Sequence, residues 1–370
     1  MLSRRSLLFG GLAALDSSLK IISVRAYPVT LGFGWRASAP KFKSDFDPAR
    51  WRHRGPLSQL AGAMIVEIKT DRGITGYGMG GGGGAGAYIV EHHLSDLLMG
   101  SNPLRAELLW DQMYTASSYY GRRGLAIMAI SGVDLALWDI AGKYANRPVH
   151  ELLGGPTREK VPAYYTGSNY ETALKMGFHG FKVPIRYGVA EGKEGMNATT
   201  AEVAKVRKLA GPEADVMIDC NSLWDVPYTL EMDERLAEYR VKWFEEPLNP
   251  DDVVGYERLC SRIRNTRIAS GEHEYTRFGY TELLRHKAVQ ILQPDVTWSG
   301  GLTECRRIAA LAAADSLPVC PHRGGSPYAM ALILTTSNCE LAESFGQGEE
   351  GNEIMAAMTS PLFHTDLPGG

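Results

Sequence analysis

The chain has 370 residues, a formal net charge of −3 and a hydrophobic fraction of 44%. This length exceeds the usual size of one compact domain, so it predicts a globular protein with two domains. The weak negative charge gives no overall attraction to nucleic acid or to an anionic membrane surface, and neither partner is expected. The five cysteines include no C-x-x-C pair and are expected to be buried thiols.

The N-terminus carries an export pattern. Arg4 and Arg5 precede an apolar stretch that ends at Leu15, and this order resembles a twin-arginine signal. We therefore expect residues 1–18 to be a signal and the protein to be exported or periplasmic. The alternative is a cytoplasmic protein with an irregular N-terminus, because no clear cleavage site follows. No later segment is expected to provide the roughly 18 apolar residues that cross a membrane.

Residues 19–155 are predicted to form an α+β capping domain. The stretches 20–31 and 63–70 have the pattern of antiparallel strands. The basic loop between them, residues 32–57, is interpreted either as a lid over an anionic ligand or as a solvated loop. Arg36 opens this loop and is a candidate substrate-binding residue.

Glycine fills most of residues 80–86. The run lacks the Gly-Lys-Ser/Thr that would follow in a phosphate-binding loop, and it is interpreted as a flexible loop. Helical patterns follow at 88–98, 103–118 and 126–146. The LLGG sequence at 152–155 is a helix-stop signal that ends the domain.

Residues 156–346 change to alternating strand and helix patterns. Apolar runs end at acidic or imidazole side chains at intervals of 21 to 27 residues, which fits one strand, one helix and two short loops. The side chains are Asp219, Glu245, Glu272, Asp295, His322 and Glu343. A (β/α)8 barrel brings the C-terminal ends of its strands to one mouth, so the pattern predicts an active site there. Three carboxylates from neighbouring strands would hold one hard divalent cation.

Six motifs in this order resemble the mandelate racemase-like branch of the enolase superfamily. They are AISGVDLALWDIAGKYANRPVHELLGG at 129–155, MIDCN at 217–221, WFEEP at 243–247, SGEH at 270–273, QPDVTWSGG at 293–301 and CPH at 320–322. The resemblance implies an α/β fold, with a modified TIM barrel of the (β/α)7β type beneath the α+β capping domain. Residues 347–370 would be a short C-terminal tail, as in a truncated or naturally shortened chain.

The resemblance also implies a metal site. Asp219, Glu245 and Glu272 would be the ligands of Mg2+. Glu246 adjoins Glu245, and adjacent side chains on a strand point to opposite faces, so only one of the two is expected to point into the mouth. The resemblance assigns that role to Glu245.

The remaining implied roles are catalytic. His322 with Asp295 would be an acid/base dyad, and Glu343 would face the substrate. Lys182 would add positive charge beside the substrate, and His273 is a candidate second proton donor. Arg323, beside His322, is a further candidate for contact with the substrate, the alternative being a surface salt bridge.

Within the superfamily, GFHGFKVPIRYG at 177–188 and Ala-Glu-Ser at 342–344 are similar to acid-sugar dehydratases of the L-rhamnonate dehydratase type. This implies dehydration of a sugar acid to a 2-keto-3-deoxy acid through a metal-stabilised enediolate, by a protein that forms homo-oligomers. Lys182 precedes Val183 and Pro184, so the second lysine of a Lys-x-Lys pair is missing, which disfavours a racemase. The alternatives are an epimerase or racemase on the same fold, or a non-catalytic protein that binds sugar acids.

Overall fold

The computed structural model describes residues 18–29 and 62–345. The basic loop at 32–57, with Arg36, lies outside the described residues. So do almost all of the predicted export signal and the whole of the tail at 347–370.

A three-stranded antiparallel sheet forms one layer of the capping domain, in the order β1-β2-β3. Its strands are β1 (Ile21–Val29), β2 (Ala63–Thr70) and β3 (Thr75–Gly80). Met64, Val66 and Ile68 of β2 are buried, as the alternation in the sequence predicts. They face the helical layer of the domain.

The helical layer agrees with the three predicted helices. Its elements are α1 (Gly83–Ile89), a π-helical turn (Val90–Leu94), α2 (Ser95–Leu98), α3 (Ala106–Ser117), α4 (Leu125–Ala145) and α5 (Val149–Leu152). The interpretation of the glycine run as a loop holds only for Gly81 and Gly82 and was wrong for its two ends, because Gly80 ends β3 and Gly83 begins α1. A Cβ on Gly80 would lie 2.6 Å from the carbonyl oxygen of Met128, so the lack of side chains lets the sheet approach α4.

Helix α4 is long and apolar enough to cross a membrane by length and composition alone, contrary to our expectation from the sequence. It is the one such helix in residues 18–29 and 62–345, and 78% of its most apolar stretch is buried inside the protein. Ile127, Ile130 and Val133 are fully buried in the capping core. Its apolar surface is thus used in packing between layers.

The second domain is a parallel barrel with the strand order β10-β4-β5-β6-β7-β8-β9. The strands are β4 (Ala163–Thr166), β5 (Gly180–Pro184), β6 (Asp215–Asp219), β7 (Val241–Glu245), β8 (Arg267–Ser270), β9 (Ile291–Leu292) and β10 (Ala342–Ser344). Val319 forms parallel bridges to Leu292 and to Cys339, so its segment fills the position between β9 and β10. These strands and the Val319 segment make eight strand positions around the ring.

Seven α-helices connect these positions in the described part of the barrel. They are α6 (Tyr170–Lys175), α7 (Gly192–Ala210), α8 (Val226–Arg235), α9 (Val253–Arg262), α10 (Thr276–Arg285), α11 (Gly301–Ala314) and α12 (Pro327–Thr335), with 3-10 turns at Val189–Glu191 and Ala237–Tyr239. Asp225 and Asp252 cap α8 and α9, each accepting a hydrogen bond from a backbone N–H of the first turn. The predicted (β/α)7β barrel with an α+β capping domain is confirmed.

The barrel core has an inner and an outer part. Inside the ring, Tyr164 packs edge to face against Trp243, with ring centroids 5.5 Å apart. A larger apolar layer separates the strands from the helices. All five cysteines are free and four of them are buried, which confirms the expectation of buried thiols.

Helix α4 also joins the two domains through polar contacts at the start of α11. Ser131 accepts a hydrogen bond from the N–H of Gly300 at 2.9 Å. Asp134 Oδ2 accepts one from the N–H of Thr303 at 3.0 Å, and Trp138 Nε1 donates to the Thr303 hydroxyl at 2.9 Å. The bonds from the N–H groups of Gly300 and Thr303 satisfy donors at the helix N-terminus that α11 itself cannot pair.

Asp134 gives this contact a pH dependence. The side chain is fully buried, its Oδ1 accepts no hydrogen bond from any residue that the structure describes, and burial is the main cause that raises its pKa to about 7. The folded protein therefore holds this proton at pH values where the unfolded chain, with a pKa of about 4, has released it. The resulting stability is present at low pH and is lost as the pH rises towards the folded pKa.

For this group we expect the free energy of unfolding to fall by about 2–3 kcal/mol between about pH 5 and pH 8. Urea unfolding of the wild type and of Asp134→Asn at both pH values measures it, because the variant has no proton to release at this position. The same pH dependence in both proteins would contradict the prediction.

Candidate active site

The strand ends bring the predicted acidic residues to one mouth. Asp219 is the last residue of β6 and Glu245 the last of β7, and the two are partners across these parallel strands. Glu272 follows the end of β8, after Gly271, whose φ of 131° favours glycine. The side chains therefore meet at the C-terminal end of the barrel, where sites form in this architecture.

Glu245 is buried among donors and other acidic groups. Its Oε2 accepts hydrogen bonds from Trp243 Nε1 at 3.1 Å and from Gln293 Nε2 at 2.7 Å, and its Oε1 is paired with Lys182. Burial raises the pKa of this carboxyl to about 8; Lys182 opposes the rise, and the charge of Asp219 adds to it. A divalent cation would offset this concentration of buried negative charge.

A second set of possible metal ligands shares Glu272 with the first. Ligand atoms of Glu246, Glu272 and His273 lie within 4.8 Å of one another. The expectation that only one of Glu245 and Glu246 points into the mouth was wrong. Glu246 has a left-handed φ of 41° beyond the end of β7, so strand alternation does not govern it, and its Oε2 lies 2.7 Å from His273 Nδ1.

Ligand chemistry separates the two sets. Mg2+ prefers oxygen ligands, whereas imidazole suits transition metals and zinc. Asp219, Glu245 and Glu272 offer only carboxylate oxygens, while His273 already uses Nδ1 in its contact with Glu246. The carboxylate trio fits magnesium better and stays our prediction for its ligands.

His322 and Asp295 lie together as a hydrogen-bonded pair. His322 Nδ1 is 2.7 Å from Asp295 Oδ2, and a parallel bridge joins the two residues. Asp295 Oδ1 accepts hydrogen bonds from the N–H of Thr297 at 2.7 Å and from its hydroxyl at 2.6 Å, which orients the carboxylate. The other imidazole nitrogen, Nε2, lies 3.6 Å from Glu272 Oε2. An imidazole oriented in this way is positioned to exchange a proton at Nε2.

Charges around the dyad favour its ionised pair. Burial disfavours the charged form of His322, but Glu272 and Asp295 outweigh this and raise its pKa to about 9. Burial likewise works against the ionised form of Asp295, yet the hydrogen bond with His322 and the charge of Arg323 lower its pKa. A cation bound to Glu272 would offset the negative charge of this residue. The pKa of His322 would then be raised less, and His322 would shift towards the neutral form that accepts a proton.

Lys182 is buried between two carboxylates. Its Nζ is paired with Glu245 and lies 2.7 Å from Glu343, and the side chain is 2% exposed. Burial opposes the charge of Lys182, but these carboxylates hold its pKa well above the usual range. Glu343 accepts further hydrogen bonds from the Thr166 hydroxyl at 2.7 Å and the N–H of Arg323 at 2.8 Å.

The same contacts determine the state of Glu343. Burial works against its ionised form, but the charges of Lys182 and His322 lower its pKa to about 2. A hydrogen-bonded carboxylate fits these contacts, and a protonated acid does not. The role of Lys182 towards a substrate stays a prediction, because its described contacts are to carboxylates.

His273 lies at the edge of the same cluster. Its side chain is 43% exposed, and its Nδ1 lies 3.4 Å from Glu272 Oε1 as well as close to Glu246. Burial opposes its charge, but Glu246 and Glu272 raise its pKa. Solvent screens part of this effect. A role as second proton donor stays a prediction.

Arg323 contributes to the site through its backbone and its side chain. Its φ of 53° is left-handed, and its N–H holds Glu343. The guanidinium carbon lies 4.6 Å from the centre of the Trp298 ring, and Nε lies 3.9 Å from Asp295 Oδ2. Among the described residues this buried Nε–H has no hydrogen-bond acceptor. The contact with substrate stays a prediction.

Five residues that contact the site residues were not predicted from the sequence: Thr166, Trp243, Gln293, Thr297 and Trp298. Gln293 precedes Asp295 by two positions, so the period of a strand is a signal that would have placed both side chains together. Trp298 lies inside the QPDVTWSGG motif. Thr166 has no signal in the sequence, since its contact with Glu343 depends on the pairing of β4 with β10.

Comparison with known proteins supports this architecture. The mandelate racemase / muconate lactonizing enzyme N-terminal domain matches residues 54–154, and the enolase C-terminal domain-like family matches residues 167–362. An L-rhamnonate dehydratase from Saccharopolyspora erythraea is 40% identical over 312 residues, which cover 84% of this chain and 80% of that protein.

Solved structures extend the comparison. A rhamnonate dehydratase from Gibberella zeae complexed with Mg is 35% identical, with a TM-score of 0.81 over 90% of this chain and 85% of that one. A 3,6-anhydro-D-galactonate cycloisomerase from Zobellia galactanivorans is 28% identical, with a TM-score of 0.72 over 90% of this chain and 89% of that one. The fold, the two family matches and these relatives agree: the chain belongs to the mandelate racemase-like branch of the enolase superfamily.

Proposed function

We propose that the protein is a magnesium-dependent dehydratase that converts a sugar acid, an aldonate such as L-rhamnonate, into a 2-keto-3-deoxy acid. Removal of water makes it a carbon–oxygen lyase. The observation that carries the proposal is the His322–Asp295 dyad, whose Nε2 lies 3.6 Å from Glu272. The names of the Saccharopolyspora and Gibberella relatives support the same substrate class.

Asp219, Glu245 and Glu272 would hold the magnesium ion. When bound, the ion supplies Lewis-acid stabilisation to the negative charge that develops on the substrate carboxylate as the α-proton leaves. Glu245 is already fixed by Trp243 and Gln293, so its carboxylate is oriented before a ligand arrives.

His322 would act first as a base and then as an acid. Neutral Nε2 takes the proton from C2 of the sugar acid, and the C2–H electron pair becomes part of the enediolate. The C3–O bond then breaks as the imidazolium returns this proton to the departing hydroxyl, which leaves as water. The enol product tautomerises to the 2-keto-3-deoxy acid. Asp295 holds Nδ1 and stabilises the imidazolium between the two steps.

An epimerase is the second candidate function. It needs an acid/base group on each face of the substrate α-carbon, and His273 hydrogen-bonded to Glu246 would supply the second group. The sequence after Lys182 argues against an epimerase. Val183 and Pro184 follow it, so the second lysine of a Lys-x-Lys pair, which could act as a base, is missing. Deuterium entering unreacted substrate from heavy water, with no keto acid formed, would support the epimerase.

We expect purified protein with Mg2+ to form 2-keto-3-deoxy acid from at least one member of a panel of aldonates and aldarates. A semicarbazide or thiobarbituric assay detects this product, and EDTA should abolish it. Absence of product over the whole panel, from folded protein with magnesium binding confirmed, would contradict the dehydratase.

Export through residues 1–18 and a homo-oligomeric state also stay proposals. Cell fractionation would test the export, and light scattering would test the oligomeric state.

A further inference from the structure

Trp298 connects the capping domain to both histidines of the site. The side chain is 7% exposed and packs in the capping core, although it belongs to the barrel. Its ring centre lies 5.3 Å from that of His322 and 5.6 Å from that of His273, at tilted angles of 44° and 38°. The Trp298 ring therefore limits the positions that the two imidazoles can take on this side.

One further contact holds the Trp298 ring, and another holds its backbone. The guanidinium of Arg323 lies over the ring at 4.6 Å, and the backbone N–H of Trp298 donates to the carbonyl of Asp295 at 3.0 Å. The ring thus contacts both histidines and Arg323, while its backbone is bonded to the partner of His322.

The edge of the ring that carries Nε1 lies against the glycine segment, Gly80–Gly83. A Cβ on Gly81 would lie 2.8 Å from Trp298 Cδ1, 2.8 Å from Trp298 Nε1 and 2.9 Å from Met128 Sδ. Real Cβ atoms essentially never approach other heavy atoms this closely. Methionine adapts readily to such a change, but the indole is rigid and confined by its other neighbours. Glycine at position 81 is therefore what permits the observed position of the ring.

We propose that Trp298 is a positioning residue for His322 and His273, and that the glycine segment sets its place. The glycine segment of the capping domain thus sets, through Trp298, the positions of the two imidazoles, which belong to the barrel. The effect on turnover rests on the proposed dehydratase function. The effect on the imidazole positions does not depend on that function.

Gly81→Ala tests the proposal, and Gly84→Ala is its matched control. Gly84 lies three residues away in α1, is exposed, and a Cβ there meets no atom within 4 Å. Misplacement of reacting groups by about 1 Å costs up to roughly a hundredfold in rate. We expect Gly81→Ala to lower kcat by about 10- to 100-fold with KM changed less than about threefold. Gly84→Ala should keep both constants at their wild-type values.

Crystal structures of the two variants give a readout that needs no activity. In Gly81→Ala, we expect the Trp298 ring and at least the His322 imidazole to shift by about 0.5 Å or more, the tolerance of a catalytic arrangement. In Gly84→Ala, both should superimpose on the wild type. If the wild type shows no dehydratase activity, these positions still decide the proposal.

Trp298→Phe is the second variant, for the case that Gly81→Ala does not fold. It removes ring atoms without overpacking, and we expect kcat to fall about tenfold with KM little changed and the imidazoles displaced. The proposal is overturned if Gly81→Ala matches Gly84→Ala in kcat, or if its histidines stay in place while Trp298 moves. Wild-type kcat and imidazole positions in Trp298→Phe would overturn it as well.

Discussion

Replacing His322 by asparagine is expected to abolish turnover, with a loss of about a thousandfold or more, because one side chain serves as both base and acid. Asparagine can still form a hydrogen bond with Asp295 but cannot take up a proton. Binding of magnesium and of the sugar acid should persist, since neither is assigned to His322. Steady-state assays of keto-acid formation and calorimetric titration with Mg2+ measure the two effects.

His286→Asn is the matched control for this substitution. His286 pairs with Glu257 at 2.9 Å, its side chain is 40% exposed, and it lies at the end of α10. Its replacement should leave kcat unchanged. Turnover of His322→Asn within about tenfold of the wild type would refute the assigned role, because general acid/base groups contribute at least about a hundredfold.

The second large effect is expected at the metal site, where two adjacent glutamates allow a direct comparison. Glu245→Gln should weaken Mg2+ binding by at least about a hundredfold, more than loss of a residue that only supports a ligand. Glu246→Gln should keep Mg2+ affinity within about threefold of the wild type, because Glu246 is expected to hold His273 and not the ion. Titration calorimetry of the three proteins measures the difference.

Glu245 and Glu246 have the same chemistry and differ in backbone geometry. The substitution is identical at both positions and replaces one carboxyl group by an amide each time, so the difference between the variants shows which of the two side chains binds the ion. A greater loss of Mg2+ affinity in Glu246→Gln would instead point to the set formed by Glu246, Glu272 and His273. EDTA should abolish turnover with either set, so only the pair of variants separates them.

The barrel was predictable because its signals are local. Most of the strands are short apolar runs, and several of these runs end at or just before a polar side chain, which the architecture brings to the mouth. Asp219 and Glu245 illustrate this, since both are the last residues of their strands. The pairing of His322 with Asp295 was expected from the resemblance, and the structure places them 2.7 Å apart.

The structure differs from the expectations drawn from the sequence where tertiary contacts override a local pattern. Glu246 was expected to follow the alternation of a strand, but its left-handed backbone turns its carboxylate towards His273. Gly80 and its neighbours were interpreted as a loop, because nothing in a run of glycines reveals a helix packed against it. Lys182 shows the same limit, since its two carboxylate partners come from strands 63 and 161 residues further along the chain.

Closure of the barrel ring has a consequence for how the protein is made. Strand β4, near residue 163, pairs with β10, near residue 342, so the first and last strands of the barrel meet only when nearly the whole domain has left the ribosome. Until then β4 and the Val319 segment present open edges, which are templates for aggregation. Glu343 lies on β10, so a nascent chain would complete its catalytic mouth and cover its edges in the same late event.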